Sequence, residues 1–178
     1  MTIEKYITEV ILVDENDVQI GTMEKLQAHI EGRLHRAFSV FVINDKSEIL
    51  LQKRAAGKYH SAGLWSNSCC SHPLPGESIT NASIRRLNEE LGIEVKDLTH
   101  LYSFIYKAEF KNSLTEFELD HVLLAYFNGV PNVNTDEISD WHYFSIPEIK
   151  KMMNDQPALF TVWFKLIIPE IEKYIKEK

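Results

Sequence analysis

One well-marked helix lies between two groups of strand-forming segments, and this order limits the folds that the chain can adopt. The helix is predicted from Ser78 or Thr80 to Leu91, because polar caps precede it and Gly92 stands at a typical C-terminal cap position. Its apolar side chains recur at i, i+3 and i+7, at Ile84, Leu87 and Leu91. Such a stripe packs one face of a helix against a neighbouring layer.

Most other segments are predicted strands, because β-branched and aromatic residues dominate them. We predict a hairpin of residues 10–13 and 18–21, a second of 38–43 and 48–52, strands at 101–110 and 116–127, and a short strand at 140–144. One or two helical turns are expected at 23–28, loops at 30–34 and 53–63, and a C-terminal helix at 157–178 that Pro169 should kink or split. This order predicts an α+β fold in a single domain of residues 1–178, with a mixed β-sheet flanked by helices and a C-terminal helical segment.

Composition argues against several classes of protein. The chain has 178 residues, 44% of them hydrophobic and 25% charged, which is ordinary for a globular domain. The net charge of −7 argues against general nucleic-acid affinity, because neutralising phosphates requires clustered Lys and Arg. No apolar run approaches the roughly 18 residues of a membrane span, and residues 1–9 lack a signal-peptide pattern. The two cysteines are adjacent and therefore poorly placed for a disulfide, so a reduced, intracellular setting is expected.

A thiol and an imidazole stand two residues apart in the segment 67–73, which reads Asn-Ser-Cys-Cys-Ser-His-Pro. If this stretch is extended, Cys70 and His72 project to one face and Cys69 projects to the other. One face then carries a candidate acid–base group or nucleophile beside a candidate metal ligand. The simpler interpretation is that both cysteines are small buried hydrophobic residues.

Three imidazoles and two carboxylates form a candidate set of metal ligands. His29 and His35 bracket the predicted loop at 30–34, and Glu116 and Glu118 alternate along a predicted strand and so share one face. With His72 they would suit a borderline divalent ion such as Zn²⁺ or Mn²⁺. The alternative is that the histidines are solvated or hydrogen-bonded and that the two glutamates form a wet strand face. The remaining histidines are predicted to be surface or packing residues: His60, His100, His121 and His142.

The charges of the predicted helix have two interpretations. The spacing of i, i+4 ion pairs occurs twice, at Arg85/Glu89 and Arg86/Glu90. Together with Glu77, the same carboxylates would also supply oxygen ligands for a hard cation such as Mg²⁺ that bridges a phosphate. Arg54 and Lys58 follow a predicted strand and offer positive charge for such an anion, although an ordinary basic loop would look similar.

The segment 71–93 resembles the Nudix box, with Ser71-x5-Glu77-x7-Arg85-Arg86-Leu87-x-Glu89-Glu90-x-Gly92-Ile93. It departs from the box at Ser71, where Nudix hydrolases have Gly, and at Arg86, where they usually have a metal-binding Glu. These departures are those of type I isopentenyl-diphosphate isomerases. The resemblance to that family extends to residues 33–38 (Arg-Leu-His-Arg-Ala-Phe), 65–74 (around the two cysteines) and 116–120 (Glu-Phe-Glu-Leu-Asp), and to Trp163. The resemblance rests on several separate motifs that occur in the same order as in that family.

The resemblance implies two ions and a diphosphate subsite. One tightly bound divalent metal, Mn²⁺, Zn²⁺ or Mg²⁺, would have as ligands His29, His35, His72, Glu116 and Glu118. A second ion, Mg²⁺, would bridge the substrate diphosphate and be held by Glu90 and the Cys70 carbonyl. The diphosphate itself would pair with Arg54, Lys58 and Arg86. No flavin is expected.

The resemblance also implies roles in proton transfer. Cys70 and Glu118 would act on opposite faces of the allylic carbons, because moving the double bond adds a proton at C4 and removes one at C2. Tyr106 would assist the glutamate, and Trp163 would shield the cationic intermediate from water. The residues alone do not decide which of Cys70 and Glu118 protonates the substrate.

The function implied by the resemblance is the interconversion of isopentenyl and dimethylallyl diphosphate through a tertiary carbocation, which supplies isoprenoid biosynthesis. The expected partner is this small molecule, with neither nucleic acid nor membrane, and the expected state is a cytoplasmic monomer or weak dimer. Two alternatives are a Nudix hydrolase of nucleoside diphosphate derivatives and a non-catalytic metal- or phosphate-binding module. Arg86 argues against the hydrolase, and the presence of both Cys70 and Glu118 argues against the module.

Overall fold

A computed structural model describes residues 8–58 and 60–177 of the chain. The described residues form one sheet of nine strands: β1 (Glu9–Val13), β2 (Gln19–Glu24), β3 (His35–Ile43), β4 (Ile49–Arg54), β5 (Trp65–Ser66), β6 (Cys69–Ser71), β7 (Leu98–Glu109), β8 (Thr115–Tyr126) and β9 (Ile138–Phe144). The helices are α1 (Lys25–Glu31), α2 (Ile79–Leu91), α3 (Ile146–Asp155) and α4 (Val162–Lys176), with a short 3-10 helix at Pro157–Leu159. The predicted α+β fold with a C-terminal helix is confirmed.

Strand β3 is the centre of the sheet. Along one edge it pairs in parallel with β8, from His35 opposite Glu118 to Ile43 opposite Tyr126. Along the other edge it pairs antiparallel with β1, β6 and β4 in turn. Strand β7 pairs with β8, and β9 pairs with β4, both antiparallel. The sheet is therefore mixed, and β3 is an almost continuous apolar run because it is buried on both faces.

Two apolar cores lie on the two faces of the sheet. On one face Leu87 of α2 packs in a core with Val40 of β3. On the other face Phe164 of α4 and Ile149 of α3 pack in a core with Phe41. Because Val40 and Phe41 are consecutive strand residues, their side chains point to opposite faces. The prediction of helices flanking a mixed sheet is confirmed.

Helix α2 begins and ends as its sequence predicts. The hydroxyl of Ser78 accepts a hydrogen bond from the Asn81 backbone N–H at 3.2 Å. Gly92 adopts the left-handed conformation with φ 60°. A Cβ atom at this position would lie 2.8 Å from the Asn132 carbonyl oxygen, so both the backbone conformation and the close approach require glycine.

The predicted boundaries of α1 were wrong. The helix runs from Lys25 to Glu31, rather than over residues 23–28, and includes the first part of the predicted loop at 30–34. It ends at Gly32, whose φ of 61° supplies a left-handed cap. His29 consequently lies in the last helical turn, where its position is fixed by the helix.

The predicted bounds of the C-terminal helix, residues 157–178, were also wrong, because a short 3-10 helix lies at Pro157–Leu159 and α4 is a separate helix after it. Helix α3 precedes it, and Ser145 and Glu148 form a capping box at its start. Helix α4 begins only at Val162 and continues through Pro169, which lies on its exposed side and does not split it. Residues 1–7, Tyr59 and Lys178, to which sequence predictions also extend, lie outside the described residues. None of the described helices is long and apolar enough to cross a membrane.

Replacing Leu87 by Ala should destabilise the protein by about 2–5 kcal/mol, because the fully buried side chain would leave a cavity between α2 and the sheet. Leu166→Ala is the matched control, since Leu166 of α4 is 51% exposed, and its effect should stay within about 0.5 kcal/mol. Urea unfolding followed by circular dichroism measures both. Equal destabilisation of the two variants would contradict the described packing.

Candidate active site

Most of the residues to which the sequence assigned a role lie around one cavity. The predicted site residues that line it are Arg54, Lys58, Cys70, His72, Arg86, Glu90, Tyr106, Glu116, Glu118 and Trp163. His29 and His35 do not line the cavity but adjoin it, because their ring centroids lie 5.9 Å and 5.0 Å from that of His72. Segments far apart in sequence therefore contribute to one site.

Three imidazoles and one carboxylate converge beside this cavity. His29 comes from α1, His35 from the start of β3, His72 from the residue after β6, and Glu118 from β8. One nitrogen or oxygen atom of each lies within 4.8 Å of the corresponding atoms of the others. His72 Nε2 is 2.8 Å and His35 Nε2 is 3.4 Å from the same oxygen, Oε1 of Glu118. The direct pairing of His35 with Glu118 across β3 and β8 explains the second contact.

Backbone carbonyl groups fix the tautomers of two of these imidazoles. His29 Nδ1 lies 2.7 Å from the Lys25 carbonyl oxygen, and His35 Nδ1 lies 2.8 Å from that of Arg33. A carbonyl oxygen only accepts, so each Nδ1 carries a proton, and in the neutral ring Nε2 is the atom with the lone pair. Metal-binding histidines are commonly oriented in this way. The group therefore fits a borderline divalent ion such as Zn²⁺ or Mn²⁺.

Glu116 lies in a second group, which shares His29 with the first. One ligand atom each of His29, His60 and Glu116 lies within 4.8 Å of the others. His60 Nε2 is 3.1 Å from Glu116 Oε1, and the His60 ring is buried. The sequence prediction of a surface or packing role for His60 missed this contact. No local pattern marks it, because only the chain path after β4 brings His60 to β8.

Tyr106 joins the two carboxylates from the neighbouring strand. Its hydroxyl lies 2.7 Å from Glu118 Oε2 and 3.0 Å from Glu116 Oε2. Burial raises the pKa of Glu116 well above its ordinary value, and the nearby charge of Glu118 adds to the effect. Burial would also raise the pKa of Glu118, but His35 and His72 beside it outweigh burial and hold that pKa well below its ordinary value. The two carboxyl groups therefore differ in their affinity for a proton.

The Cys70 thiol faces the cavity in a ring of hydrogen-bonding groups. The indole Nε1 of Trp163 lies 3.1 Å from Sγ, and the thiol donates to Asn67 Oδ1 at 3.2 Å. Ser66 Oγ lies 3.3 Å from the same sulfur. Burial raises the pKa of the thiol to about 12, so Cys70 is protonated near neutral pH. The amide of Asn67 cannot rotate freely, because its Nδ2 donates to two backbone carbonyl oxygens.

The two cysteines lie on opposite faces of the sheet, as strand parity predicts. Cys69 is fully buried in the core that contains Leu87. Cys70 packs against the opposite core, which contains Trp163. The simple interpretation as a buried hydrophobic residue therefore applies to Cys69 and not to Cys70.

Basic side chains line part of the cavity. Arg86 Nη2 lies 2.6 Å from Glu90 Oε1, and both Arg86 and Lys58 contact Glu137, a residue that sequence reasoning did not identify. The guanidinium carbon of Arg54 lies 5.3 Å from the centre of the Trp163 ring. Such a concentration of cations suits a phosphate-bearing ligand.

Lys25 also lines the cavity and was missed by sequence reasoning. Desolvation lowers its pKa, and the nearby charge of Lys58 adds to this effect. Lys25 and His29 are spaced i, i+4 on α1, so they share a helix face. Correct placement of α1 would have identified Lys25 from the sequence.

The remaining charges of the box-like segment have structural partners. Arg85 binds both carboxylate oxygens of Glu77 at 2.8 Å, and Glu77 also accepts the Leu74 backbone N–H. The predicted i, i+4 ion pairs of α2 are confirmed, at 3.3 Å for Arg85–Glu89 and 2.6 Å for Arg86–Glu90. Glu77 therefore forms an ion pair with Arg85 and does not line the cavity.

Comparison with known proteins agrees with this architecture. Residues 33–164 match the NUDIX domain family. Isopentenyl-diphosphate Delta-isomerase of Pectobacterium atrosepticum is 48% identical over 94% of this chain and 93% of that protein. Isopentenyl-diphosphate Delta-isomerase 2 of Photorhabdus laumondii is 49% identical over 89% of each chain.

Solved structures share the fold at low identity. The crystal structure of DR0079 from Deinococcus radiodurans has a TM-score of 0.74 at 19% identity and covers 90% of this chain and 98% of its own. The structure of MutT protein from Methanosarcina mazei has a TM-score of 0.62 at 17% identity, covering 79% and 94% respectively. The solved structures share the fold of this chain, and the curated relatives share its sequence. The chain therefore belongs to the NUDIX domain family and, within it, to the enzymes named isopentenyl-diphosphate Delta-isomerase.

Proposed function

We propose that this enzyme interconverts isopentenyl diphosphate and dimethylallyl diphosphate by metal-dependent proton transfer and so supplies isoprenoid biosynthesis. Its relatives carry the isomerase name, which supports the substrate class. The single observation that carries the proposal is that Cys70 and Glu118 line one cavity from different strands, beside basic side chains. We place it in the cytoplasm as a monomer or weak dimer, and its two free cysteines support a reducing compartment.

The strand order supports the required separation of the two proton-transfer groups. Ser39 of β3 is paired with Cys70 on one edge and with Val122 of β8 on the other. Strands β6 and β8 therefore flank β3, with backbones about 9–10 Å apart. Glu118 of β8 lies opposite His35, four residues along β3 from Ser39, so the two groups are also offset along the strand direction. Side chains from both can reach a five-carbon chain between them. One group adds a proton to C4, the positive charge develops on C3, and the other group removes a proton from C2.

Two aromatic residues support this route. The Tyr106 hydroxyl bonds Glu118 and so gives this carboxylate a neighbour with which to exchange a proton. Trp163 is 3% exposed and borders the cavity, where its ring face would stabilise a cation and exclude water. Exclusion of water matters because hydration would trap the tertiary cation as an alcohol.

The ion-binding residues have separate roles in the proposal. His29, His35, His72, Glu116 and Glu118 would hold one divalent ion, which supplies fixed positive charge that orients the two carboxylates. Glu90 and the Cys70 carbonyl would bind Mg²⁺ together with the diphosphate. Arg54, Lys58, Arg86 and Lys25 would neutralise the remaining phosphate charge, and their position along the cavity supports this role.

Isomerisation in heavy water should place deuterium in dimethylallyl diphosphate without release of phosphate, because both steps are proton transfers. Mass spectrometry of the product and a phosphate assay measure the two outcomes. Release of phosphate or pyrophosphate without a rearranged product would instead establish the alternative, a Nudix hydrolase. Arg86 argues against that alternative, because it stands where a hydrolase would place a metal-binding carboxylate.

Cys70→Ala should reduce turnover by roughly 100-fold or more, because it removes one of the two proton-transfer groups. Cys69→Ala is the matched control, since it removes an adjacent thiol that faces the core; it should retain most activity and cost about 1 kcal/mol of stability. An electrophilic allylic epoxide analogue should alkylate Cys70 and spare Cys69, as peptide mapping would show. Equal loss of activity in both variants would refute the assignment.

Chelation should abolish activity, and metal analysis should find about one tightly held divalent ion per chain. His35→Ala should lower that metal content, because it removes an imidazole of the four-residue group. His100→Ala is the control, since His100 is an exposed residue that pairs with His121 outside the cavity. If the triple variant of His29, His35 and His72 retained the ion at full stoichiometry, the proposed metal centre would be wrong.

A further inference from the structure

His60 is held firmly against the candidate metal centre, although it belongs to neither a helix nor a strand. Its ring stacks on Phe110 with centroids 5.0 Å apart and lies edge-on to Trp163 at 6.1 Å. It also stacks on His29 at 5.8 Å. These contacts leave the residue 8% exposed and determine where its nitrogen atoms point.

One nitrogen of this ring faces Glu116. His60 Nε2 lies 3.1 Å from Oε1 of Glu116, while the Tyr106 hydroxyl bonds Oε2 at 3.0 Å. Both oxygens of this carboxylate therefore have a side-chain partner. Two such contacts from different parts of the chain restrict the rotation of this carboxylate. Without them, the flexible side chain of a glutamate on a strand would keep its rotational freedom.

The geometry favours a hydrogen-bond donor over a further metal ligand at this position. His29 Nδ1 is committed to the Lys25 carbonyl, so His29 has one lone pair, and two ions cannot share it. On the other side of the His60 ring, Nδ1 lies 3.4 Å from the Ser61 hydroxyl, which is able to donate to it. With Nδ1 accepting from Ser61, the proton of the ring lies on Nε2, which can donate it to Oε1 of Glu116.

We infer that His60 is a positioning residue that donates from Nε2 to Glu116 and holds this carboxylate in the orientation in which it binds the divalent ion. The inference rests on the metal centre of the proposed function. Hydrogen bonds to metal-binding groups commonly change metal affinity by about 10- to 100-fold. His60 also connects two parts of the site, because its carbonyl oxygen accepts a hydrogen bond from Arg54 Nη2 at 3.4 Å.

Two substitutions separate the hydrogen bond from the packing of the ring. His60→Phe keeps an aromatic ring against Phe110 and Trp163 but removes the N–H donor. His60→Gln keeps an N–H donor but removes the ring. His142→Phe is the matched control, because His142 is exposed and contacts Phe144 away from the cavity. The Zn²⁺ affinity of each full-length variant is measured by competition with a chromophoric chelator, and X-ray absorption counts the imidazoles bound to the ion.

We expect His60→Phe to weaken Zn²⁺ binding by about 10- to 100-fold and His60→Gln to stay within about threefold of the unmodified protein. The stoichiometry and the number of coordinated imidazoles should not change. Unchanged affinity in His60→Phe, equal loss in both His60 variants, or loss of a coordinated imidazole would overturn the inference. If the unmodified protein and His142→Phe themselves bind no ion, the proposed metal centre fails, and the inference fails with it.

Discussion

The parallel register between β3 and β8 is the constraint on which the site depends. It places His35 directly beside Glu118 and continues without a shift to the end of β3. Because side chains alternate along a strand, a slip of one residue would turn Glu116 and Glu118 away from the imidazoles and expose the apolar partners of both cores. The same two cores that bury β3 therefore fix the positions of the carboxylates. Stability and site geometry have a common cause in this fold.

Two of the cations that line the cavity are each paired with a carboxylate. Arg86 is paired with Glu90, and Lys58 with Glu137. Leaving such a charge unpaired in a buried site would cost several kcal/mol. In the proposed function, an incoming diphosphate would compete with Glu137 for these cations. The affinity of the enzyme for the diphosphate would then depend on the exchange of one anion for another.

The parts of the site that sequence could predict are those that follow local periodicity. Strand alternation separates Cys69 from Cys70 and places Glu116 with Glu118, and capping residues locate α2. His60 could not be predicted, because its partner Glu116 lies on a distant strand and no spacing rule connects them. Helix α3 is a different case. Ser145 and Glu148 form a capping box that is visible in the sequence and that could have predicted the start of this helix.

The charge pattern of α2 links the shared fold to a distinct chemistry. Glu77 is bound by Arg85, and Arg86 occupies one side of Glu90, so the helix offers few free oxygen ligands to a cluster of ions. The candidate ligands are instead imidazoles from α1, β3 and the end of β6, together with carboxylates of β8. In the proposed function, ligands on the sheet rather than on the helix would put the ion beside Glu118 and on the other side of β3 from the strand that carries Cys70. A site of this kind would hold a carbon chain between the two proposed proton-transfer groups, whereas a cluster of ions on the helix would act on the phosphate.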